Sequence, residues 1–208
     1  MMNSARRLIW TVLVVCALGA ADLLGVSASE AQANAASATS STSPVPLNSC
    51  NLSALSQPFA RWLDYAKYEL APGGDFERSR WTLAGGAALV PGSEPYAVTG
   101  RLGSSSLSLP AGSSAQSPPA CVDATHPSIR FFVAGKGAVK VSVSDGSSVV
   151  PAGVVAARGE WSPTPVTLTE SAVLGASSGG TAQVSVGFTS LSGSPRVDDV
   201  FVDPWSRG

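Results

Sequence analysis

Four sets of side chains in this 208-residue chain have types and spacings suited to chemistry. The first is a set of carboxylates far apart in sequence. Asp75 and Glu77 lie in the stretch PGGDFERSRWTLAGG, residues 72–86, and Asp198 and Asp199 lie in VDDVFVD, residues 197–203. Paired acids can do general acid–base work or supply oxygens to a hard cation. The second is GASSG, residues 175–179, which matches the G-x-S-x-G string of serine hydrolases, with His126 as the single histidine. The third is the cysteine pair Cys50 and Cys121. The fourth is a group of aromatics, Trp62, Tyr65, Tyr68 and Tyr96, placed where exposed rings could stack on sugars.

The hydrolase string needs a strand, a strained turn and a helix around its serine. Here it lies in a Ser/Gly-rich loop between strand-like segments, and His126 precedes Pro127 as a turn residue would. The further acids Glu94, Glu160, Glu170 and Asp123 have no spacing that pairs them. No phosphate loop, dinucleotide fingerprint or zinc spacing is present. The chain is therefore not predicted to be an enzyme, and no catalytic residue is assigned.

Compartment comes from the N-terminus. Arg6 and Arg7 precede the apolar run Leu8 to Ala21, and Ala31-Gln32-Ala33 reads as a cleavage site. Residues 1–33 are expected to be a signal peptide and the product to be secreted or held at the cell surface. Residues 34–48 are Ala, Ser, Thr and Pro, with no large apolar side chain to offset ordering entropy, and read as a flexible tether. Residues 49–208 have the length of one domain. Beyond residue 33 the chain carries 11 Lys/Arg and 12 Asp/Glu with no basic run, which excludes nucleic acid as the expected partner. Once Cys16 leaves with the signal peptide, an exported chain with Cys50 and Cys121 most simply forms one disulfide. It would close a loop of about 70 residues, worth on the order of 4 kcal/mol.

The elements that must position these residues are strands. Val139, Val141 and Val143 alternate with Lys140, Ser142 and Ser144; Ala182, Val184, Val186 and Phe188 alternate in the same way. Residues 81–83, 88–90, 106–109, 129–133, 153–157, 166–169 and 197–202 are further strand candidates. Turn signals separate them, among them Pro91-Gly92, Gly135-Lys136-Gly137 and Asp145-Gly146. Phe59 to Tyr68 reads as a short amphipathic turn over a sheet edge or as an extended piece. Many short strands with Gly/Pro punctuation predict an all-β, two-sheet antiparallel sandwich.

Two bookends, Gly74-Asp75-Phe76-Glu77 with Trp81 and Val197-Asp198-Asp199-Val200, carry a resemblance. Together they resemble the β-jelly-roll modules of the carbohydrate-binding and galactose-binding-like class, where a G-x-F-E corner opens the domain and an I-D-D-V type strand closes it. The span from Cys50 to Arg207 is also similar to a group of exported proteins of high-GC actinomycete-type bacteria with no assigned activity. The matching stretches are PGGDFERSRWTLAGGA, SLSLPAGSSAQSPPACV, HPSIRFFV and VDDVFVDPWSR. The jelly-roll resemblance implies that the first and last strands lie side by side, tied by a structural calcium. Glu77 and Asp199 or Asp198 would be its ligands, with Asp75 contributing. A metal-free arrangement stays open, with the acids bonded to turn amides or paired with Arg78, Arg80 or Arg196. The resemblance further implies a non-catalytic module at the cell surface, with a polysaccharide or an envelope protein as partner. A purely structural or adhesive envelope protein is the alternative, and a secreted hydrolase the third possibility.

Overall fold

The computed structural model describes residues 55–123, 128–168 and 181–203. They belong to the unit Pro44–Gly208. Eleven strands run through the described residues: β1 Glu69–Leu70, β2 Thr82–Ala84, β3 Ala88–Pro91, β4 Ser105–Ser108, β5 Ser114–Gln116 and β6 Ala120–Asp123. After these come β7 Ser128–Ser144, β8 Val149–Pro163, β9 Thr167–Leu168, β10 Thr181–Gly193 and β11 Arg196–Asp203. Every pairing between them is antiparallel. Among the described residues the one helical piece is a 3-10 turn, Ala60–Trp62, within the Phe59–Tyr68 stretch.

The expected all-β antiparallel sandwich is present, and its two sheets are two leaves of one hydrogen-bonded sheet. The strand shared by both is β7. Its first half, up to Ala134, pairs with β11, and β11 with β4, which pairs with β3. From Gly137 onward β7 pairs with β10, then β5 and β2 follow. The hairpin partner β8 follows β7 along most of its length.

The sharing of β7 corrects one expectation. Gly135-Lys136-Gly137 is not a turn between two strands but the middle of one. Gly135 and Gly137 have φ of 80° and 140°, and the β7–β8 register shifts beside them. Glycine is used here to bend a strand rather than to end it. Gly137 also lets β10 approach: a Cβ there would lie 2.0 Å from the Ser192 carbonyl oxygen.

The alternating residues point where their pattern predicts. Val139, Val141 and Val143 from β7 meet Val184, Val186 and Phe188 from β10, and Leu107, Val197 and Val202 from the other leaf, in one buried cluster. Trp81 stacks on Phe188 with ring centroids 5.5 Å apart. A second cluster covers the opposite face of the β7–β11 leaf, built from Phe59, Tyr68, Phe132 and Phe201. Each fully buried ring or branched side chain contributes about 1.5–3 kcal/mol relative to exposure. The first and last strands do pair, Glu69 with Val202 and Leu70 with Phe201.

Candidate functional site

The expected carboxylate set is divided between two places. β11 carries a bulge after Asp198, which pairs with Phe132, while Phe201 pairs with Arg130. The extra residue puts Asp199 at φ 44°, in the left-handed region where Asp is tolerated better than most residues. The bulge frees Val200 to pair elsewhere. Its N–H donates to the Gly74 carbonyl, and its own carbonyl accepts from Ala71 N–H, at 3.0 and 2.8 Å. A Cβ on Gly74 would lie 2.7 Å from the Val200 oxygen, so this contact needs glycine. The two bookends thus meet through backbone, at Gly74 and Val200.

Glu77 is engaged by the segment that leads into β4. Its carboxylate accepts from the N–H groups of Ser104 and Ser105 at 2.6 and 2.8 Å, and from the Ser104 hydroxyl at 2.5 Å. The Ser104 hydroxyl bond is the largest influence and holds the Glu77 carboxyl below its ordinary range. Glu94 takes the place expected of Glu77. It is 1% exposed, accepts from the N–H groups of Tyr96 and Val98, and shares a side-chain hydrogen bond with Asp199. Nothing in the local sequence marks it. It reaches β11 because Asp198 Oδ2 accepts from Glu94 N–H and Ser93 Oγ at 2.8 and 2.6 Å.

Asp198 and Asp199 are buried, and burial is the main reason their carboxyls are raised, to about 6 and about 8. The neighbouring acids Asp198, Glu94 and Asp75 add to the rise at Asp199. The rise favours the protonated form of Asp199, and its side-chain hydrogen bond with Glu94 acts in the same direction. Asp75 lies nearer the surface, 3.5 Å from Arg101. Among the described residues no three His, Cys, Asp or Glu side chains are grouped so that they could hold a metal ion. Of the expected calcium ligands, Glu77 is held by Ser104 and Ser105, Asp198 by Ser93 and Glu94, Asp199 by Glu94, and Asp75 lies beside Arg101. Asp198 and Glu77 each accept from backbone amides.

The aromatics also sort differently from expectation. Tyr68 is 0% exposed, with its hydroxyl 2.7 Å from Asp64 Oδ2. Trp62 and Tyr96 are half-buried, edge to face at 5.0 Å, and the Arg61 guanidinium lies over both rings. Tyr65 alone of the four is well exposed. Packing claimed these rings because the outer face of the β7–β11 leaf presents Phe132 and Phe201, which need cover. Cys121 lies in β6; Cys50, His126, Glu170 and the GASSG stretch lie outside the described residues.

The surface best suited to a ligand is one not singled out from sequence. On the outer face of the other leaf, Thr82, Ser114, Gln116, Ser142, Ser144 and Ser185 from four neighbouring strands line a shallow groove of about 180 Å³. No charged side chain lines it. Gly187 leaves its centre bare, since a Cβ there would lie 2.6 Å from Ser142 Oγ. The alternation in β7 and β10 contained this face as the polar half of each strand.

No family model and no curated protein matches the chain, so the similarity to exported actinomycete-type proteins finds no support there. Solved structures do match. The C-terminal CBM6 of a marine laminarinase from Zobellia galactanivorans is 13% identical, with 64% of this chain and 96% of that one covered and a TM-score of 0.44. The module TmCBM61, in complex with β-1,4-galactotriose, is 16% identical over 64% and 96%, with a TM-score of 0.41. A carbohydrate-binding module of Cellvibrio mixtus lichenase 5A, in complex with cellotriose, is 11% identical over 66% and 96%, with a TM-score of 0.44. Likeness at this level leaves function to be argued from this chain's own residues.

Proposed function

We propose that the protein is a non-catalytic glycan-binding module acting outside the cytoplasm. The observation that carries this reading is the uncharged row of hydroxyl and amide groups across β2, β5, β10 and β7. Such a row offers both donors and acceptors in register with the sheet, matching the chemistry of sugar hydroxyls. Recognition would rest on hydrogen bonds rather than on stacking, because no tryptophan or tyrosine lines the groove. The buried acids support the non-catalytic part: Glu94, Asp198 and Asp199 are 0–4% exposed, out of reach of a polysaccharide.

The leader-like N-terminus supports export, and the Cys50–Cys121 disulfide belongs to the same proposal. Cys121 is engaged in a disulfide, which fits an oxidising compartment.

Affinity electrophoresis against a panel of soluble neutral polysaccharides tests the proposal. At least one polysaccharide is expected to retard the protein. Gln116→Ala should weaken that retardation about three- to tenfold, the worth of one lost hydrogen bond. A protein that no polysaccharide retards would instead fit the adhesive envelope role.

A further inference from the structure

The β7–β8 hairpin brings together charges that sequence keeps apart. Lys136 stands directly across from Arg158, and Lys140 across from Val154, in the β7–β8 register. Directly opposed residues of an antiparallel pair project to the same face. All four are exposed, on the outer face that Ser142 and Ser144 continue along β7. Lys136 and Lys140 are four residues apart, about 13 Å along the strand.

Like charges directly opposite each other destabilise a strand pair. The two ion pairs among the described residues, Arg101–Asp75 and Arg130–Asp64, involve none of the three cations. Glu160, two residues beyond Arg158, is exposed and makes neither of those pairs.

Arg158 also stands on the rim of a cleft of about 710 Å³ along the outer edge of β8, within the range of ligand sites. Val133 and Val155 line it together with Ser162, Thr164 and Thr167. A free strand edge could instead accept an added strand from a peptide. This edge is poorly made for that. Pro151 interrupts its donors, Gly153 and Gly159 have φ of 157° and 122°, and the register shifts near both.

We propose that the Lys136–Arg158 pair and the adjoining β8 cleft bind the acidic group of an anionic glycan, a carboxylate or sulfate. The claim rests on the glycan reading above and names the ligand class for the same face. The uncharged sugar hydroxyls lie along the serine and threonine row, and the anion sits between Lys136 and Arg158, with Lys140 four residues further along β7. Arg158 supplies a planar fork of donors suited to a two-oxygen anion.

The test measures binding of the whole mature protein to polygalacturonate, dextran sulfate, neutral xylan and poly-L-glutamate at low and high salt. Polygalacturonate or dextran sulfate should bind more tightly than xylan, and salt should weaken that binding. The double variant Lys136→Ala/Arg158→Ala should lose at least about tenfold of it, with melting temperature not lowered and xylan binding unchanged. Preference for one of the two acidic polymers identifies the anion. Acidic binding that survives the double variant overturns the proposal while leaving the glycan reading in place. Equal binding of poly-L-glutamate overturns it in favour of a protein partner. Failure of every polysaccharide to bind removes both readings.

Discussion

At the scale of single residues, Asp199 is the most exposed to the consequences of its surroundings. Its folded-state carboxyl titrates at about 8, chiefly through burial, against an ordinary value near 4. Between those values the folded chain holds a proton that the unfolded chain has lost, so stability falls as pH rises through this window and levels above it. Asp198, raised to about 6, adds a slope of the same sign up to that pH. Thermal melts from pH 5 to pH 9 should therefore show a falling melting temperature. Asp199→Asn keeps a donor for Glu94 and suits the left-handed backbone at φ 44°, yet cannot ionise. It should flatten the alkaline limb and melt about 4–8 °C above the wild type at pH 9, equivalent to about 2 kcal/mol. An unchanged slope in this variant would mean that Asp199 is already ionised in the folded state. A calcium-dependent rise in the wild type's melting temperature would mean that a cation, not a proton, joins it to Glu94.

At the scale of elements, the decisive feature is the three-strand junction around Gly137 and Gly193. Each glycine lies where a Cβ would be 2.0 Å from a neighbouring carbonyl oxygen, Ser192 for Gly137 and Lys136 for Gly193. Gly137→Ala should cost at least about 2–3 kcal/mol in urea unfolding, because backbone and not a flexible side chain must move. Gly146→Ala is the control. It too has positive φ, 89°, but open space around it, and should cost only about 1 kcal/mol. Equal losses would show that φ alone matters and that the junction can relax. The same glycines mark the limit of what the chain discloses one segment at a time. Inward-facing Val139, Val141, Val143, Val184, Val186 and Phe188 are plain from alternation. A glycine that bends a strand and a glycine that ends one look alike until the partner strand is known. Glu94 is harder still: its role depends on Asp198, 104 residues away, and its own loop has no periodicity. The meeting of Lys136 with Arg158 likewise follows from hairpin register, which composition does not contain.

At the scale of the whole molecule, two hydrophobic clusters lie on opposite faces of the β7–β11 leaf, and one ion pair fastens the outer one. Arg130 Nη1 lies 2.6 Å from Asp64 Oδ2, with the two side chains 10% and 13% exposed. Arg130 also donates to the Thr164 carbonyl and lies 4.4 Å from the centre of the Phe59 ring. Burial tends to raise the Asp64 carboxyl, but hydrogen bonds from Tyr68, Ala66 and Arg130 outweigh it and leave it lowered. The strap is therefore intact at neutral pH and weakens as pH falls through the acid range. Asp64→Ala leaves Arg130 buried without its partner, a loss of about 3–5 kcal/mol. The loss should fall unevenly. Trp81 lies in the main core, and Trp62 packs against the outer cluster that the 3-10 turn covers. In the wild type, single-tryptophan reporters at these two positions should melt together, since β7 and β11 contribute to both clusters. In Asp64→Ala the Trp62 signal should melt first, at a lower urea concentration than that of Trp81. Coincident transitions in the variant would show instead that the cover and the sandwich unfold as one body, and that the ion pair stabilises the whole domain evenly.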